Sequence, residues 1–148
     1  MKRIYQILFF LALLGLFQRC NLYHPSQENF LRLCDREVIN MQIKKKNLNI
    51  DKSIPHQTIS KGYDGLTIVY QVDTRKECIF AIQAFFKNLN TADKILDWVK
   101  QSKATIKNEA LFNGQQPFTV IGQFGSTFEC SRTPDGDLEV IAEYSRCK

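Results

Sequence analysis

The sequence predicts a single α+β domain: an antiparallel sheet built from two hairpins, with two helices packed mainly on one face. Apolar and polar residues alternate over 66–73 and again over 138–144, which is the period of a half-buried strand. Apolar residues recur at helical spacing over 92–99. Because helices and strand pairs are segregated along the chain, their order favours an antiparallel sheet. A length of 148 residues fits one domain.

The first 20 residues have the pattern of a targeting segment. Lys2 and Arg3 precede an apolar run over 4–17. This run is shorter than the roughly 20 residues that span a bilayer as a helix, and it has the length of a signal-peptide core. We therefore expect residues 1–20 to be a signal peptide or N-terminal anchor, and residues 21–148 to be a periplasmic or secreted domain.

Cys20 stands at the end of this segment. The basic start, the short apolar run and the cysteine resemble the layout of bacterial lipoproteins, and this resemblance implies that Cys20 carries a lipid. Arg19, however, occupies the position at which the lipoprotein motif has a small residue. Cleavage of a signal peptide, acylation of Cys20 and retention of an uncleaved anchor are the three alternatives.

The exported part contains an even number of cysteines, which in an oxidising compartment predicts up to two disulfides. These candidate disulfide cysteines are Cys34, Cys78, Cys130 and Cys147. Three connectivities are open, and the alternative is four buried free thiols. Their wide spacing excludes a C-x-x-C redox pair and argues against a zinc site. Cys20 is left as the odd cysteine.

The first third of the exported part predicts one helix and some strand. Ser26 is a suitable N-cap for a helix that ends near Val38. Residues 39–43 alternate like a strand, and 58–60 predict a short edge strand.

The first hairpin joins the strand 66–73 to a strand over 78–86 that is apolar on both faces. One predicted face comprises Cys78, Phe80, Ile82, Ala84 and Phe86. The other comprises Ile79, Ala81 and Phe85, with Val69 or Ile141 as neighbours. If helices cover only one side of the sheet, this second face is a candidate partner face. The alternative is that another part of the chain covers it.

The second half predicts a capped helix and a final hairpin. Thr91 caps the helix over 92–99, and an Asn-Gly pair at 113–114 stops any continuation through Ala110 and Leu111. A strand over 118–130 then pairs with 138–144. Matching the apolar faces places Cys130 opposite Val140 and Arg132 opposite Leu138, around a five-residue connection.

No residue pattern predicts a catalytic, metal or cofactor site. His24 and His56 are the two histidines, and neither lies in a motif for a catalytic triad. Three glutamates on the final hairpin, Glu129, Glu139 and Glu143, are explained as solvated side chains. The glycines at 122 and 125 lack the strand-to-helix context of a phosphate loop and indicate a bulge or a close backbone approach.

The charge of the chain argues against a protein that binds nucleic acid. The net charge of +5 includes Lys2, Arg3 and Arg19, and without them the chain has 17 basic and 15 acidic residues.

We therefore expect a non-catalytic exported binding protein, such as an inhibitor or immunity-type protein that neutralises another protein outside the cytoplasm. It needs no cofactor and meets a membrane only through its N-terminal segment. The alternatives are an anchored, lipoprotein-like structural or accessory envelope protein, or a small hydrolase that uses His56.

Overall fold

The structure, a computed structural model, describes residues 24–44 and 47–144. The strands are β1 His56–Tyr63, β2 Leu66–Asp73, β3 Cys78–Phe86, β4 Thr105–Ile106, β5 Phe118–Ile121, β6 Thr127–Arg132 and β7 Leu138–Glu143. The helices are α1 Phe30–Asp35, α2 Met41–Lys44 and α3 Ala92–Gln101, with short 3-10 helices at Val38–Asn40 and Glu109–Leu111. The predicted segment 1–20, Cys20 and Cys147 lie outside the described residues.

The strands form one seven-stranded antiparallel sheet in the order β1-β2-β3-β7-β6-β5-β4. The chain is mostly sheet with a few short helices, which is compatible with the α+β class. The prediction of two hairpins is too simple. Strands β1 to β3 form one meander and β4 to β7 form another, and pairing of β3 with β7 joins them.

One face of the sheet carries the core. Side chains at alternate positions of β2 and β7 are almost completely buried, as the alternation in the sequence predicts. These residues are Leu66, Ile68, Tyr70, Val72, Leu138, Val140 and Ala142. Phe86 joins the helices to this core, because its ring lies 5.4 Å from that of Phe30 and 5.0 Å from that of Trp98.

A β-bulge in β3 changes the predicted faces of that strand. Ala81 pairs with Gln71, whereas the next residue of β2, Val72, pairs with Ile79, so Phe80 is the extra residue. One extra residue reverses the alternation on the N-terminal side of the bulge. The prediction that Ile79 belongs to a partner face is therefore wrong: Ile79 is 1% exposed and lies in the core.

Residues 39–43 are helical, so the predicted strand there is wrong. Glu37 has a φ of 56° and ends the turn that follows α1. The chain then re-enters helical structure, and both Ile39 and Ile43 are buried. Two apolar residues four positions apart satisfy a strand and a helix equally well, so the short pattern did not decide between them.

Helix α3 has the predicted cap and core stripe. The Thr91 hydroxyl accepts a hydrogen bond from the backbone N–H of Lys94 at 3.3 Å. Ile95, Trp98 and Val99 are buried on one side of the helix. The Trp98 indole N–H also donates to the backbone carbonyl of Gln27 at 2.8 Å. These contacts fix α3 against the core and against the segment that precedes α1.

The register of the final hairpin is confirmed. Cys130 pairs with Val140 and Arg132 with Leu138, around the connection 133–137. The single strand predicted over 118–130 is instead divided, because a turn separates β5 from β6.

Asp35 holds this β5–β6 turn against α1. Its carboxylate accepts hydrogen bonds from the backbone N–H groups of Phe124 at 2.5 Å and Ser126 at 2.9 Å. A Cβ atom at Gly122 would lie 2.6 Å from the same carboxylate, so only glycine permits this approach. The sequence-based interpretation of this glycine as a site of close backbone approach agrees with the contact.

Asp35→Ala is expected to lower the free energy of unfolding by about 2–4 kcal/mol, because two backbone N–H groups lose a charged acceptor. Urea denaturation measures the change. The control is Asp135→Ala, which removes an exposed carboxylate from the β6–β7 connection and should leave stability almost unchanged. Equal effects of the two substitutions would contradict the role assigned to Asp35.

Candidate functional site

The side of the sheet opposite the core is called the open face. It consists of the even-numbered positions of β1, residues 67, 69, 71 and 73 of β2, residues 80, 81, 83 and 85 of β3, and the odd-numbered positions of β4 to β7. None of these residues is buried. A large side of the sheet is therefore accessible within the part of the chain that the structure describes.

Apolar side chains occupy the centre of the open face. Gln83 pairs with Val69 on one side and with Ile141 on the other, and Phe85 lies two positions further along β3. Ala81 flanks Gln83 on the opposite side. All of the four apolar residues are partly exposed, so the centre of the face is an apolar patch in contact with solvent.

Every full charge on the open face is negative. The carboxylates are those of Asp73 on β2, Glu129 on β6, and Glu139 and Glu143 on β7. No lysine or arginine occupies a position of the open face as defined above. The face therefore combines an apolar centre with an acidic border.

The two basic residues within the described strands, Lys61 and Arg132, do not lie on the open face. The Lys61 ammonium donates to the backbone carbonyl of Asn47. The Arg132 guanidinium donates to three backbone carbonyls, those of Leu89, Gly114 and Gly136, at 2.9 to 3.1 Å. Neither cation neutralises the carboxylates of the open face by a direct contact.

Two of these carboxylates are held in place by neighbouring strands. The Gln83 side-chain amide and the Ser131 hydroxyl both donate to Glu139, the latter at 3.0 Å. The Thr119 hydroxyl lies 3.2 and 3.3 Å from the two carboxylate oxygens of Glu129. The donors to both carboxylates are uncharged, so these hydrogen bonds fix the position of each carboxylate without a direct contact to a cation.

A concave hollow lies beside the bulge. It has a volume of about 660 Å³, and the open-face side chains that line it are Gln71, Phe80, Ala81, Gln83, Ile141 and Glu143. The edge of the His56 imidazole meets the Phe80 ring with 6.0 Å between ring centres. The open-face side chains around the hollow are thus three apolar groups, two glutamine amides and one carboxylate.

Only part of the predicted partner face lies on the open face. Ala81 and Phe85 lie on the open face next to Val69 and Ile141, whereas Ile79 lies in the core. Phe80 takes the place of Ile79 and was missed, because a strict two-residue alternation carries no signal for a bulge. Glu129, Glu139 and Glu143 lie on the polar side of the final hairpin as expected, whereas the place of Asp73 on the same side was missed, since it depends on the pairing of β3 with β7.

His56 is exposed at the start of β1, opposite Asp73. The backbone N–H of Lys76 and, to a smaller degree, the charge of His56 lower the pKa of Asp73. Asp73 also accepts a hydrogen bond from the backbone N–H of Arg75 at 3.0 Å. The Asp73 carboxylate thus stabilises the β2–β3 turn. The described residues contain no cluster of three potential metal ligands.

The cysteines divide into two kinds. Cys34 and Cys130 are buried free thiols, so the expectation that both form disulfides is not met in the described structure. Cys130 lies opposite Val140, four residues along β7 from Tyr144, and the Tyr144 hydroxyl donates to the Cys34 carbonyl at 3.2 Å. The two thiols lie on separate elements, α1 and β6, and neither forms a disulfide.

Cys78 is not one of these two free thiols. Burial raises the pKa of the Cys34 thiol to about 12 and also raises that of Cys130. Both free thiols therefore stay protonated and unreactive near neutral pH.

Comparison with known proteins identifies no relative: no family model, no curated protein and no solved structure matches the chain. No helix among the residues that the structure describes is long and apolar enough to cross a membrane.

Two isoleucines on neighbouring strands test the assignment of the two faces. Ile82→Ala is expected to cost about 2–5 kcal/mol of unfolding free energy, because it leaves a cavity in the core. Ile141→Ala should cost less than about 1 kcal/mol, since its side chain is already partly in water. Urea denaturation of both variants measures the difference, and a cost at Ile141 as large as that at Ile82 would show that the open face is covered.

Proposed function

We propose that this chain is a non-catalytic binding protein that acts outside the cytoplasm and holds a partner protein on the open face. The observation that carries the proposal is the partly exposed apolar patch of Val69, Ala81, Phe85 and Ile141 at the centre of a sheet. Exposed apolar surface with a polar border is typical of a protein-interaction site.

The packing of the helices supports this proposal. Phe30 of α1 and Trp98 of α3 both contact Phe86, whose side chain is buried on the core side of β3. Asn40 accepts a hydrogen bond from the backbone N–H of Ile79, another core residue. We infer that the helices cover one side of the sheet only and leave the other side for the partner.

An extracytoplasmic location is supported by the basic and apolar N-terminal segment. In an oxidising compartment we expect Cys78 to form a disulfide. We infer that Cys147 is the second half of this disulfide. The backbone N–H of Tyr144 donates to the carbonyl of Phe80 at 2.9 Å. In the sequence, Cys78 is two residues before Phe80 and Cys147 is three residues after Tyr144. Bond formation removes two protons and two electrons, which a disulfide-bearing oxidant of that compartment accepts.

Within this class, an inhibitor or immunity-type protein fits best, because such a protein needs a stable surface and no reactive group. A rigid sheet with carboxylates fixed by neighbouring strands meets that need. Retention of residues 1–20, or a lipid on Cys20, would instead favour the anchored envelope protein. The intact mass of the chain isolated from its host distinguishes these forms.

Cysteine mapping tests the compartment. Without reductant, iodoacetamide should label Cys34 and Cys130 only after unfolding, because burial raises the pKa of both thiols. Cys78 should be labelled only after reduction, and a non-reduced tryptic digest should link its peptide to that of Cys147. Reaction of Cys78 in the unreduced, unfolded protein would contradict an exported, oxidised chain.

Site-specific photocrosslinking tests the binding face. A photoreactive amino acid at Gln71, on the open face, is expected to give one discrete protein adduct in the native compartment. The same amino acid at Lys100, exposed on α3, is the matched control and should give none. The proposed function fails if Gln71 yields no adduct, or if both positions yield the same products.

A further inference from the structure

We propose that the open face binds a basic segment of its partner, and that the hollow beside Phe80 accepts a lysine or arginine side chain whose charge meets Glu143. This inference rests on the proposed function and specifies the chemistry of the partner. It is carried by the distribution of charge and by the composition of the hollow.

The charge of the open face is opposite to that of the whole chain. The chain carries 20 basic and 15 acidic residues, yet the described strand positions that form the open face include four carboxylates and no lysine or arginine. Like charges on adjoining strands repel each other, and a cationic partner removes that repulsion. Charge complementarity of this kind selects partners and accelerates their encounter.

The hollow matches the two parts of a long basic side chain. Phe80, Ala81 and Ile141 offer apolar contact for the methylene stem of a lysine or arginine. Glu143 is exposed at the border of the hollow, where a cationic head group remains partly hydrated. A charge-assisted hydrogen bond to this carboxylate would orient the side chain.

The same features disfavour other occupants. A second copy docked through the same face would bring the two sets of carboxylates together, because a two-fold interface is self-complementary. Nucleic acids and anionic membranes are repelled for the same reason. A bound metal ion is disfavoured by the spread of the acids over β2, β6 and β7 with apolar residues between them.

Peptide binding to the full chain tests the proposal. The probe is a fluorescent peptide of eight residues that alternates arginine and valine, and the comparison peptide has glutamate in place of arginine. Fluorescence anisotropy should show binding of the arginine peptide only. Glu143→Gln is expected to weaken it by roughly two- to fivefold, and the triple variant that also carries Glu129→Gln and Glu139→Gln by about tenfold.

A second triple variant with the same change in net charge is the control. Glu28→Gln, Asp97→Asn and Glu109→Gln remove exposed carboxylates that lie off the open face, and binding should change by less than about twofold. Circular dichroism verifies that each variant is folded. Equal binding of the two peptides, equal effects of the two triple variants, or concentration-dependent dimerisation blocked by substitutions on the open face would each overturn the proposal.

The crosslinking result separates this inference from the proposed function. If Gln71 captures a partner whose yield is the same in wild type and in the open-face triple variant, the binding function stands and the basic partner is wrong. A yield that falls in the open-face variant and persists in the control variant supports both. If Gln71 captures nothing, the binding function itself fails.

Discussion

The pairing of β3 with β7 is the interaction on which the rest of the structure depends. It joins two meanders that are separated in the chain by α3 and its connections, and it makes one continuous sheet of them. Ile82 and Ala84 meet Ala142 and Val140 on the core side of this pair. The same pairing places Gln83 beside Ile141 on the other side. Core and open face are therefore two consequences of one register.

The bulge at Phe80 refines that register. It directs Ile79 into the core and leaves Phe80 on the open face, where its ring forms a wall of the hollow. One extra residue thus improves burial on one side and opens a concave site on the other. Bulges commonly redirect side chains in this way at binding sites.

Side-chain anchors keep this arrangement rigid. Asp35 ties the β5–β6 turn to α1, and Arg132 ties the β6–β7 hairpin to the loops that flank α3. On the open face, Glu139 receives hydrogen bonds from Gln83 of β3 and Ser131 of β6, so it links three strands. A face whose charges are fixed before binding loses little conformational entropy when a partner arrives.

Elements with a strong local signal could be predicted from the amino-acid sequence. The capped helix α3, the alternating strand β2 and the register of β6 with β7 follow from side-chain periodicity and from the need to match apolar faces. Only the three-dimensional structure shows the bulge at Phe80, the helical state of 39–43, the free state of Cys34 and Cys130, and the place of Asp73 on the same side as the three glutamates of the final hairpin. The bulge and the place of Asp73 arise from pairing between strands, for which a periodic pattern carries no signal. The helical state of 39–43 was not decided because its short apolar pattern fits a strand and a helix equally well.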